Sequence, residues 1–600
     1  MNLVIRNYIN LTLDKSTLMQ YKVLVIKQVA MKYLRNYFLT VSAAFLGLVA
    51  LPTAHAANIW VGAAGDGNWN SGANWDNGAV PTPAQLLTFS GNMQTITSNN
   101  IGSFTAASFL FTNDGTSGKT SSFTLGGPNG VTSSASFSIN TTAVTGTAIT
   151  DTISLNLTLN NNASINTGAS HNLIASGAIL NGTGQRTLSK TGLGELTLTS
   201  AGNTYGGATS INQGILTVDV AGGIANQGVA SALGRQTTAA NAQLNFNGGT
   251  LNVKSGANST DRQIRIGSDA PTAIGGATIA NNSANGSTPL VFTTAAFNNT
   301  TDTGMNAVTA GRTLTLGGAN TDANSINGVI ADHNTGGGGI VRVTKADTGR
   351  WILSGANTYT GATTIDEGTL AVNGSLYNSG SVVVNANGLL GGSGSVGAIS
   401  GSGTVGPGNS PGILTATSVN PTAGTDFKFE FTSLSPTYTT ATASGNDLLR
   451  LTASSSPFAG GAFTSGNIVS IYLNSSAITD NLLAGTNTTF SGGFFVDGTY
   501  ALASALTSAS FAYYTTSSAL GTGSAVDYNG TSYYLLDSTI SAKTTLSDTA
   551  VSDAGFATGT ASGTLLTFNA IAIPEPSTGT LLGFGLGGLV LTRLMRRKQS

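Results

Sequence analysis

Apolar and polar residues alternate along most of this chain in short segments of about four to eight residues. Residues 153–159 show the pattern clearly, because isoleucine and leucine occupy every second position with serine, asparagine and threonine between them. Shorter segments at 244–246, 251–253 and 314–316 repeat it, and glycine or asparagine follows nearby. A period of two that ends in turn residues is typical of half-buried β-strands. The pattern therefore predicts an all-β protein with many short strands.

The composition supports this prediction and excludes two other classes. Glycine accounts for 80 of the 600 residues, and charged residues make up only 8%, about a third of their usual share. Hydrophobic residues still reach 40%, which argues against a disordered, solvated chain. Glycine, serine, threonine and asparagine form helices poorly, so a helical protein is not expected either.

Cysteine and histidine restrict the possible chemistry. The chain has no cysteine, which excludes disulfides, thiol catalysis and cysteine-ligated metals. Of the three histidines, His55 lies in a segment that we expect to be removed, and His171 and His333 are too few for a three-histidine zinc site. We interpret both as solvated turn residues, and we expect no metal ion and no cofactor.

Two similar segments indicate the kind of β architecture. Residues 190–218 and 345–372 share a lysine start and an Asn-Thr-Tyr triplet, which lies at 203–205 and again at 357–359. This unit resembles the autotransporter-associated β-strand repeat of the parallel β-helix passengers of secreted bacterial proteins. The resemblance implies a right-handed parallel β-helix, which we assign to residues 57–425, with the repeats near 188–218 and 343–372.

Within such a repeat, side chains are expected to divide between the core and the surface. The inward positions are predicted to be Leu196, Leu198, Leu216 and Val218, and the outward, solvated positions Thr197 and Thr217. Turn asparagines that use left-handed backbone geometry or side-chain-to-backbone bonds are expected at Asn203 and Asn357. Positive-φ glycines are expected at Gly206, Gly214, Gly361 and Gly368.

A second, smaller module is predicted beyond the solenoid. Aromatic residues become frequent in residues 426–573, and Asn529-Gly530 lies between two strand-like segments. An Asn-Gly pair in this setting is a strong signal for a β-hairpin. We therefore expect a separate antiparallel β module over 426–573.

Three tryptophans near the start of the predicted solenoid are the candidate site residues: Trp60, Trp69 and Trp75. They could form an aromatic platform for sugar rings. The alternative, which we favour, is that they cap the first turn of the solenoid, because an uncovered strand edge would promote aggregation.

The N-terminal region resembles an export signal. Residues 1–30 are interpreted as an over-extended gene start, and 31–56 as a signal peptide with Lys32 and Arg35 before an apolar stretch. We expect signal peptidase to cleave between Ala56 and Ala57, where small residues are available.

The last 27 residues, 574–600, resemble the PEP-CTERM sorting signal. A Pro-Glu-Pro tripeptide, an apolar segment and a basic cluster occur in that order, at Pro574, Glu575 and Pro576 and at Arg593, Arg596, Arg597 and Lys598. The resemblance implies a short transmembrane sorting helix that holds the protein in the inner membrane until an exosortase-like enzyme cleaves it. The alternative is a permanent membrane anchor.

Charge and sorting together suggest the function. Residues 57–573 contain 14 Lys or Arg and 23 Asp or Glu, so nucleic acid is not expected as a partner. The sequence favours an exported, non-enzymatic surface or extracellular-matrix protein, and the sorting signal implies an association with extracellular polysaccharide. Two alternatives stay open, namely an adhesin tethered to the envelope and a β-helix polysaccharide lyase or hydrolase.

Overall fold

The computed structural model describes residues 58–570, apart from 113–120, 145–146, 268–274, 294–310, 333–338, 377–379, 410, 435–436, 439–442, 460–462, 478–480, 482–486, 517, 519–520, 529–530, 537–543 and 552–562. The expected signal peptide with its cleavage site at Ala56 and Ala57, the residue His333 and the whole sorting tail lie outside these described residues. Those assignments therefore stay predictions.

Short strands make up almost all of the regular structure. In the first half of the chain they are β1 (Asn58–Trp60), β2 (Gln85–Phe89), β3 (Ile96–Ser98), β4 (Phe104–Phe111), β5 (Thr124–Gly126), β6 (Val131–Thr141), β7 (Ile149–Ile153), β8 (Leu157–Leu159), β9 (Ala163–Asn166), β10 (His171–Ala175), β11 (Ile179–Asn181), β12 (Leu188–Thr191), β13 (Glu195–Leu198), β14 (Thr209–Ile211), β15 (Ile215–Val218), β16 (Gln243–Phe246), β17 (Thr250–Val253), β18 (Asn258–Thr260), β19 (Gln263–Ile266), β20 (Ala277–Asn281) and β21 (Leu290–Phe292). In the second half they are β22 (Arg312–Gly317), β23 (Asn324–Ile326), β24 (Val341–Lys345), β25 (Arg350–Leu353), β26 (Thr363–Val372), β27 (Val382–Gly391), β28 (Ser395–Val396), β29 (Ile399–Gly401), β30 (Thr404–Val405), β31 (Ile413–Ala416), β32 (Val419–Pro421), β33 (Asp426–Phe431), β34 (Thr437–Tyr438), β35 (Ala443–Ser444), β36 (Leu448–Leu451), β37 (Ile468–Leu473), β38 (Thr488–Asp497), β39 (Ser510–Thr515), β40 (Gly521–Tyr528), β41 (Thr531–Leu536), β42 (Thr544–Val551) and β43 (Gly563–Ala570).

Helical structure is sparse in the described ranges. It includes a 3-10 turn at Gly72–Asn74 and a short helix, α1, at Leu502–Ala505. No helix within the described ranges has both the length and the apolar composition that crossing a bilayer requires.

The strands pair in parallel from one turn of the chain to the next. For example, β13 lies between β10 and β15, and Leu196 is in register with Leu173 on one side and Leu216 on the other. This is the pairing expected when a chain coils so that each strand stacks on its predecessor. The all-β class is therefore confirmed, and the parallel pairing is consistent with the predicted β-helix.

The stacked strands form three faces, and two of them share long strands. The first face runs through β1, β2, β4, β6, β9, β12, β14, β16 and β19. The second runs through β7, β10, β13, β15, β17, β20, β22 and β24, and the third through β18, β21, β23 and β25. The second and third faces meet in β26, which pairs with both β24 and β25.

Apolar side chains of the three faces form one continuous core. Leu196, Leu198, Leu216 and Val218 are all completely buried, as predicted. Thr217 differs from the prediction, because it is buried although it alternates with two core residues. Its hydroxyl donates to Glu195 and accepts from Asn252 Nδ2 at 3.2 Å, so larger neighbours on the outer surface cover it.

Parallel stacking continues beyond residue 425. The strand β33 pairs in parallel with β30 and β37, and β37 pairs in parallel with β39, which ends at Thr515. Apart from the small β34–β35 pair, antiparallel strand pairing begins only where β43 joins β38 and β41 joins β39. The structure thus differs from the antiparallel module expected from residue 426, because a period of two does not distinguish parallel from antiparallel strands.

The predicted hairpin lies in this later region. The strands β40 and β41 pair antiparallel, and Tyr528 is opposite Thr531. This register agrees with a two-residue turn at Asn529-Gly530, although the turn itself lies outside the described residues.

Candidate functional site

The three candidate tryptophans lie together inside the first turns of the solenoid. Trp60 and Trp69 are completely buried and Trp75 is 1% exposed. The rings of Trp60 and Trp75 meet edge to face at 5.1 Å between centroids, and Trp69 meets Trp75 in the same way at 6.3 Å. Phe89 contacts all three rings and connects them to the core.

Each indole N–H has a hydrogen-bond acceptor. Trp60 donates to the Gln94 carbonyl at 3.1 Å, Trp69 to the Thr97 hydroxyl at 2.9 Å, and Trp75 to the Trp69 carbonyl at 2.9 Å. A buried indole without a partner would be costly, so these bonds fix the orientation of each ring.

The burial of these rings separates the two interpretations of the cluster. A sugar stacks on an exposed aromatic face, and none of the three rings offers one. The glycan platform proposed for Trp60, Trp69 and Trp75 is therefore not available in this conformation. Their position beside β1, the outermost strand of the first face, is the position that a cap would occupy.

A polar network holds the loop that carries these tryptophans. Asp66 accepts hydrogen bonds from the Ser71 hydroxyl, from the Asn68 backbone N–H at 3.0 Å and from Asn74 Nδ2 at 2.7 Å. These bonds, that of Ser71 first, lower the pKa of Asp66 to about 2. Asn74 is fully buried and its Oδ1 accepts from the Ala64 N–H at 2.8 Å, so the loop is tied to itself at several points.

The two repeats contain a second site that the sequence analysis missed, a buried lysine. Lys190 Nζ donates to the carbonyls of Thr191, Gly192 and Gln213 at 2.8, 2.8 and 3.0 Å. Its ammonium group thus links its own turn of the solenoid to the following turn. Burial lowers the pKa of Lys190 to about 8.

Lys345 repeats this arrangement in the second copy. Its Nζ donates to the carbonyls of Ala346, Asp347 and Glu367 at 2.6, 2.5 and 2.9 Å. Burial lowers its pKa to about 8 as well. Because both lysines donate all three ammonium hydrogens to backbone carbonyls, the role of this residue in the repeat is structural.

The asparagine and tyrosine of the triplet are also buried. Asn203 Oδ1 accepts from the Ile179 N–H at 2.8 Å, and Asn357 Oδ1 accepts from the Ile330 N–H at 2.9 Å. The hydroxyls of the tyrosines contact threonines four residues later, in the pairs Tyr205–Thr209 at 2.7 Å and Tyr359–Thr363 at 2.6 Å. The side-chain-to-backbone bonds predicted for the asparagines are confirmed, whereas neither asparagine has a positive φ.

The glycines of the repeat have two distinct roles. Gly214 and Gly368 have φ of 65° and 69°, as predicted. Gly206 and Gly361 do not have a positive φ, so that prediction is wrong for them. At Gly361 a Cβ would lie closer than 3.0 Å to the Val341 carbonyl oxygen, so close approach of the neighbouring turn explains this glycine.

The two repeat copies lie on different faces. The first strand of copy one, β12, belongs to the first face, whereas the matching strand of copy two, β24, belongs to the second. The buried lysine, asparagine and tyrosine therefore stabilise a turn of the solenoid on whichever face the repeat begins.

His171 is not a solvated turn residue, which corrects our expectation. It is 1% exposed and begins β10 on the second face, with its side chain inside the solenoid. Its Nε2 lies 2.6 Å from Asp151 Oδ2, and its Nδ1 lies 2.8 Å from the Thr142 carbonyl. The second carboxylate oxygen of Asp151 accepts from the Phe123 N–H at 2.7 Å, so the pair is a satisfied polar contact within the core.

The outer surface of the first face carries a column of small polar side chains. Register neighbours on successive strands place the following half-buried residues in one line, about 4.8 Å apart: Ser108, Ser138, Ser164, Ser189, Ser210, Asn245 and Arg265. A groove of about 530 Å³ lies along this line and is lined by Ser138, Ser164, Ser189, Asn161 and Arg186, among others.

A second groove follows a parallel column on the same face. Asn166 and Thr191 are in register, and Asn212 and Asn247 directly follow the next two strands. The last three of these residues line a groove of about 660 Å³. The face therefore offers hydroxyl and carboxamide groups at regular intervals, and among the described residues named for the two columns and grooves only Arg186 and Arg265 are charged.

Comparison with known proteins identifies a class of repeat for part of the chain. Residues 188–218 and 343–372 match the Passenger-associated-transport-repeat family. The resemblance to the autotransporter-associated repeat is thus confirmed for both copies, which are the segments that contain the buried lysine, asparagine and tyrosine.

A particular relative shares a longer stretch. The chain is 34% identical over 187 residues to the Adhesin BmaC autotransporter of Brucella suis biovar 1 (strain 1330). The match covers 31% of this chain and 5% of the relative's own length. It therefore relates this chain to a small part of a much longer protein.

Proposed function

We propose that this chain is an exported, non-enzymatic protein of the cell surface or extracellular matrix that binds extracellular polysaccharide through the outer surface of its first face. The observation that carries the proposal is the pair of grooves with their serine and asparagine columns. Hydroxyl and carboxamide groups repeated at about 4.8 Å suit a linear polymer that presents similar polar groups on every unit.

Two further points support a role at the surface. The relative is named an adhesin and an autotransporter, and both terms describe proteins that act outside the cell. Arg186 lines the groove beside the serine column and adds a positive charge within residues 57–573, where acidic residues outnumber basic ones, and this favours an acidic polysaccharide.

Retention of the purified chain on the producer's own extracellular polysaccharide tests this proposal. Ser164→Glu and Ser189→Glu place carboxylates in the groove on two neighbouring strands. The matched control is Thr315→Glu with Thr344→Glu, because these threonines are half-buried register neighbours on the second face. We expect the serine variant to bind about tenfold more weakly and the control to bind like the parent chain.

The outcomes separate the proposal from its alternatives. If the two variants bind equally, the first face is not the binding surface. If the parent chain is not retained above a scrambled glycan control, but a deletion strain loses attachment to cells, the adhesin alternative gains support. Release of reducing or unsaturated sugars during the same incubation would support the lyase or hydrolase alternative.

Export and sorting are proposed from the two chain ends. Mass-spectrometric mapping of both termini, on protein from membrane and extracellular fractions, tests this part separately. We expect extracellular protein to begin at Ala57 and to end near Pro574, Glu575 and Pro576. A chain that still ends at Ser600 and occurs only in the membrane fraction would instead indicate a permanent anchor.

A further inference from the structure

A further cavity lies on the outer surface of the strands that continue the third face. Its volume is about 380 Å³, which is within the range of small-ligand pockets. Residues of β25, β26 and β27 and those that directly follow β30 form its floor. These four strands are neighbours, so the floor spans three inter-strand spacings, or roughly 14 Å.

Small residues at outward positions leave room for this cavity. On β26 the outward residue Ala371 is in register with Gly391 of β27, and Gly406 directly follows β30. All three line the cavity, and a Cβ on Gly391 would lie 3.2 Å from the Gly406 carbonyl oxygen. A larger side chain at any of these positions would fill the space, whereas the present floor of backbone and methyl groups can receive a ring.

Tyr528, the last residue of β40, forms the wall of the cavity beside Gly406. Its ring stacks on Tyr472 of β37 at 4.1 Å between centroids, and Lys428 Nζ lies 5.9 Å from its ring centroid. These contacts cover the ring. The hydroxyl oxygen of Tyr528 would lie 3.0 Å from a Cβ on Gly406, so this tyrosine brings a hydroxyl group to the floor of the cavity.

Arg350, the first residue of β25, lies at the opposite end and is the one charged residue among the described residues that line the cavity. It is half-buried, and its guanidinium group makes no hydrogen bond or ion pair with another described residue. A guanidinium group stays charged and presents its donors in a planar fork.

Arg450 shows how this chain uses such a fork. Its Nε and Nη2 donate to the two carboxylate oxygens of Asp497 at 2.8 and 3.0 Å. Arg350 has the same donors, and they line a cavity that a ligand can enter. A bidentate contact between a guanidinium group and a carboxylate is among the strongest and most directional polar contacts in proteins.

We propose that this cavity binds a hexuronate unit, which is a sugar ring that carries a carboxylate. Arg350 binds the carboxylate, and the ring lies on the floor formed by Gly391 and Gly406. The hydroxyl groups of Thr369 and Tyr528 bond to hydroxyl groups of the sugar. This inference rests on the proposed function, since the uronate would belong to the acidic polysaccharide, but it concerns a surface separate from the grooves of the first face.

Saturation-transfer NMR of the full chain with free glucuronate and galacturonate tests the proposal, with glucose as the neutral analogue. We expect at least one of the two uronates to bind, with a Kd at least tenfold below that of glucose. Arg350→Gln should weaken uronate binding about tenfold and leave the glucose signal unchanged. The bond from Asn324 Nδ2 to the backbone carbonyl of Arg350, 2.9 Å long, is not affected by this substitution.

Two more variants complete the series, each with its melting temperature measured. Arg342→Gln is the matched control, because Arg342 is an exposed arginine of β24 on the second face, and we expect it to bind like the parent chain. Thr369→Phe places a ring over the floor without changing the charge. We expect it to weaken the binding of uronate and of glucose together.

Three results would overturn the proposal. The first is the absence of binding of either uronate to the parent chain, a measurement that does not depend on whether a variant folds. The second is unchanged uronate binding in Arg350→Gln. The third is displacement of the uronate by an equal concentration of acetate, because a site that recognises the carboxylate alone has no sugar subsite.

Failure of this proposal can be told apart from failure of the proposed function. If the parent chain binds a free uronate but is not retained on the producer's polysaccharide, the proposed function fails and this site stands. If the polysaccharide retains the chain but neither uronate binds, this site fails and the proposed function stands.

Discussion

The buried lysines of the two repeats allow a quantitative test of what the repeat contributes. Lys190→Met replaces the ammonium group by an apolar side chain of similar length and leaves the carbonyls of Thr191, Gly192 and Gln213 without their donor. Each buried carbonyl left without its donor costs about 1–3 kcal/mol, so the three together are expected to cost about 3–5 kcal/mol. We expect a cost in this range for Lys190→Met and for Lys345→Met, because the two ammonium groups have the same set of partners.

Hydrogen exchange is the suitable assay, because a long solenoid need not unfold in one step. A local cost of about 3–5 kcal/mol corresponds to amide exchange that is faster by about two to nearly four orders of magnitude. We expect this loss of protection in peptides from residues 188–218 for Lys190→Met, and in peptides from 343–372 for Lys345→Met.

The control is Lys254→Met, since Lys254 is 45% exposed and its only described ion pair is a 3.4 Å contact with Glu195. Exposed pairs contribute about 0–1 kcal/mol, so exchange should change little. Unchanged protection around Lys190 in the Lys190→Met variant would show that the three carbonyls find other donors and would refute the reasoning.

Three further predictions concern the cap, its pH dependence and the glycines. Trp69→Ala removes a buried indole and should cost about 3–5 kcal/mol, seen as faster exchange across residues 58–111; unaltered exchange there would argue against a cap. The Asp66 carboxylate has a pKa of about 2 against 3.8, so its stabilising effect is present above about pH 4 and is lost as the pH falls towards 2; Asp66→Asn should abolish this acid transition in tryptophan fluorescence. Gly361→Ala should lower the melting temperature, whereas Gly102→Ala, where a Cβ meets no atom within 4 Å, should leave it unchanged.

The pattern of alternation predicts strands well but not their partners. Phe427, Phe429 and Phe431 alternate in the sequence, and all three are buried in β33. Inward and outward positions depend on burial, which has the same period in parallel and antiparallel sheets. Whether two strands pair in parallel depends on how the chain connects them, and the alternation of side chains carries no information on that connection. For this reason we placed the start of the antiparallel region too early in the sequence.

The roles of the repeat residues were partly visible in the sequence. Lys190 stands two residues after Leu188, so it occupies the inward phase of its strand, and Lys345 stands in the same phase after Val343. A charged residue in the inward phase of both copies is a signal for a buried structural cation. The acceptors could not be predicted, because those on Gln213 and Glu367 belong to the next turn of the solenoid.

His171 and Asp151 also occupy inward positions of their strands, and the coupling between their side chains can be measured. His171 is in phase with Leu173 and Asp151 is in phase with Ile153, so alternation alone places both polar residues in the core. Each single variant, His171→Phe or Asp151→Leu, leaves one buried polar partner, and we expect each to cost about 3–5 kcal/mol. The double variant should cost less than the sum by about 1–3 kcal/mol, measured as free energies of local exchange in β7 and β10. Additive costs would mean that the 2.6 Å contact between the two side chains contributes no coupling, and the histidine would then be explained by packing alone.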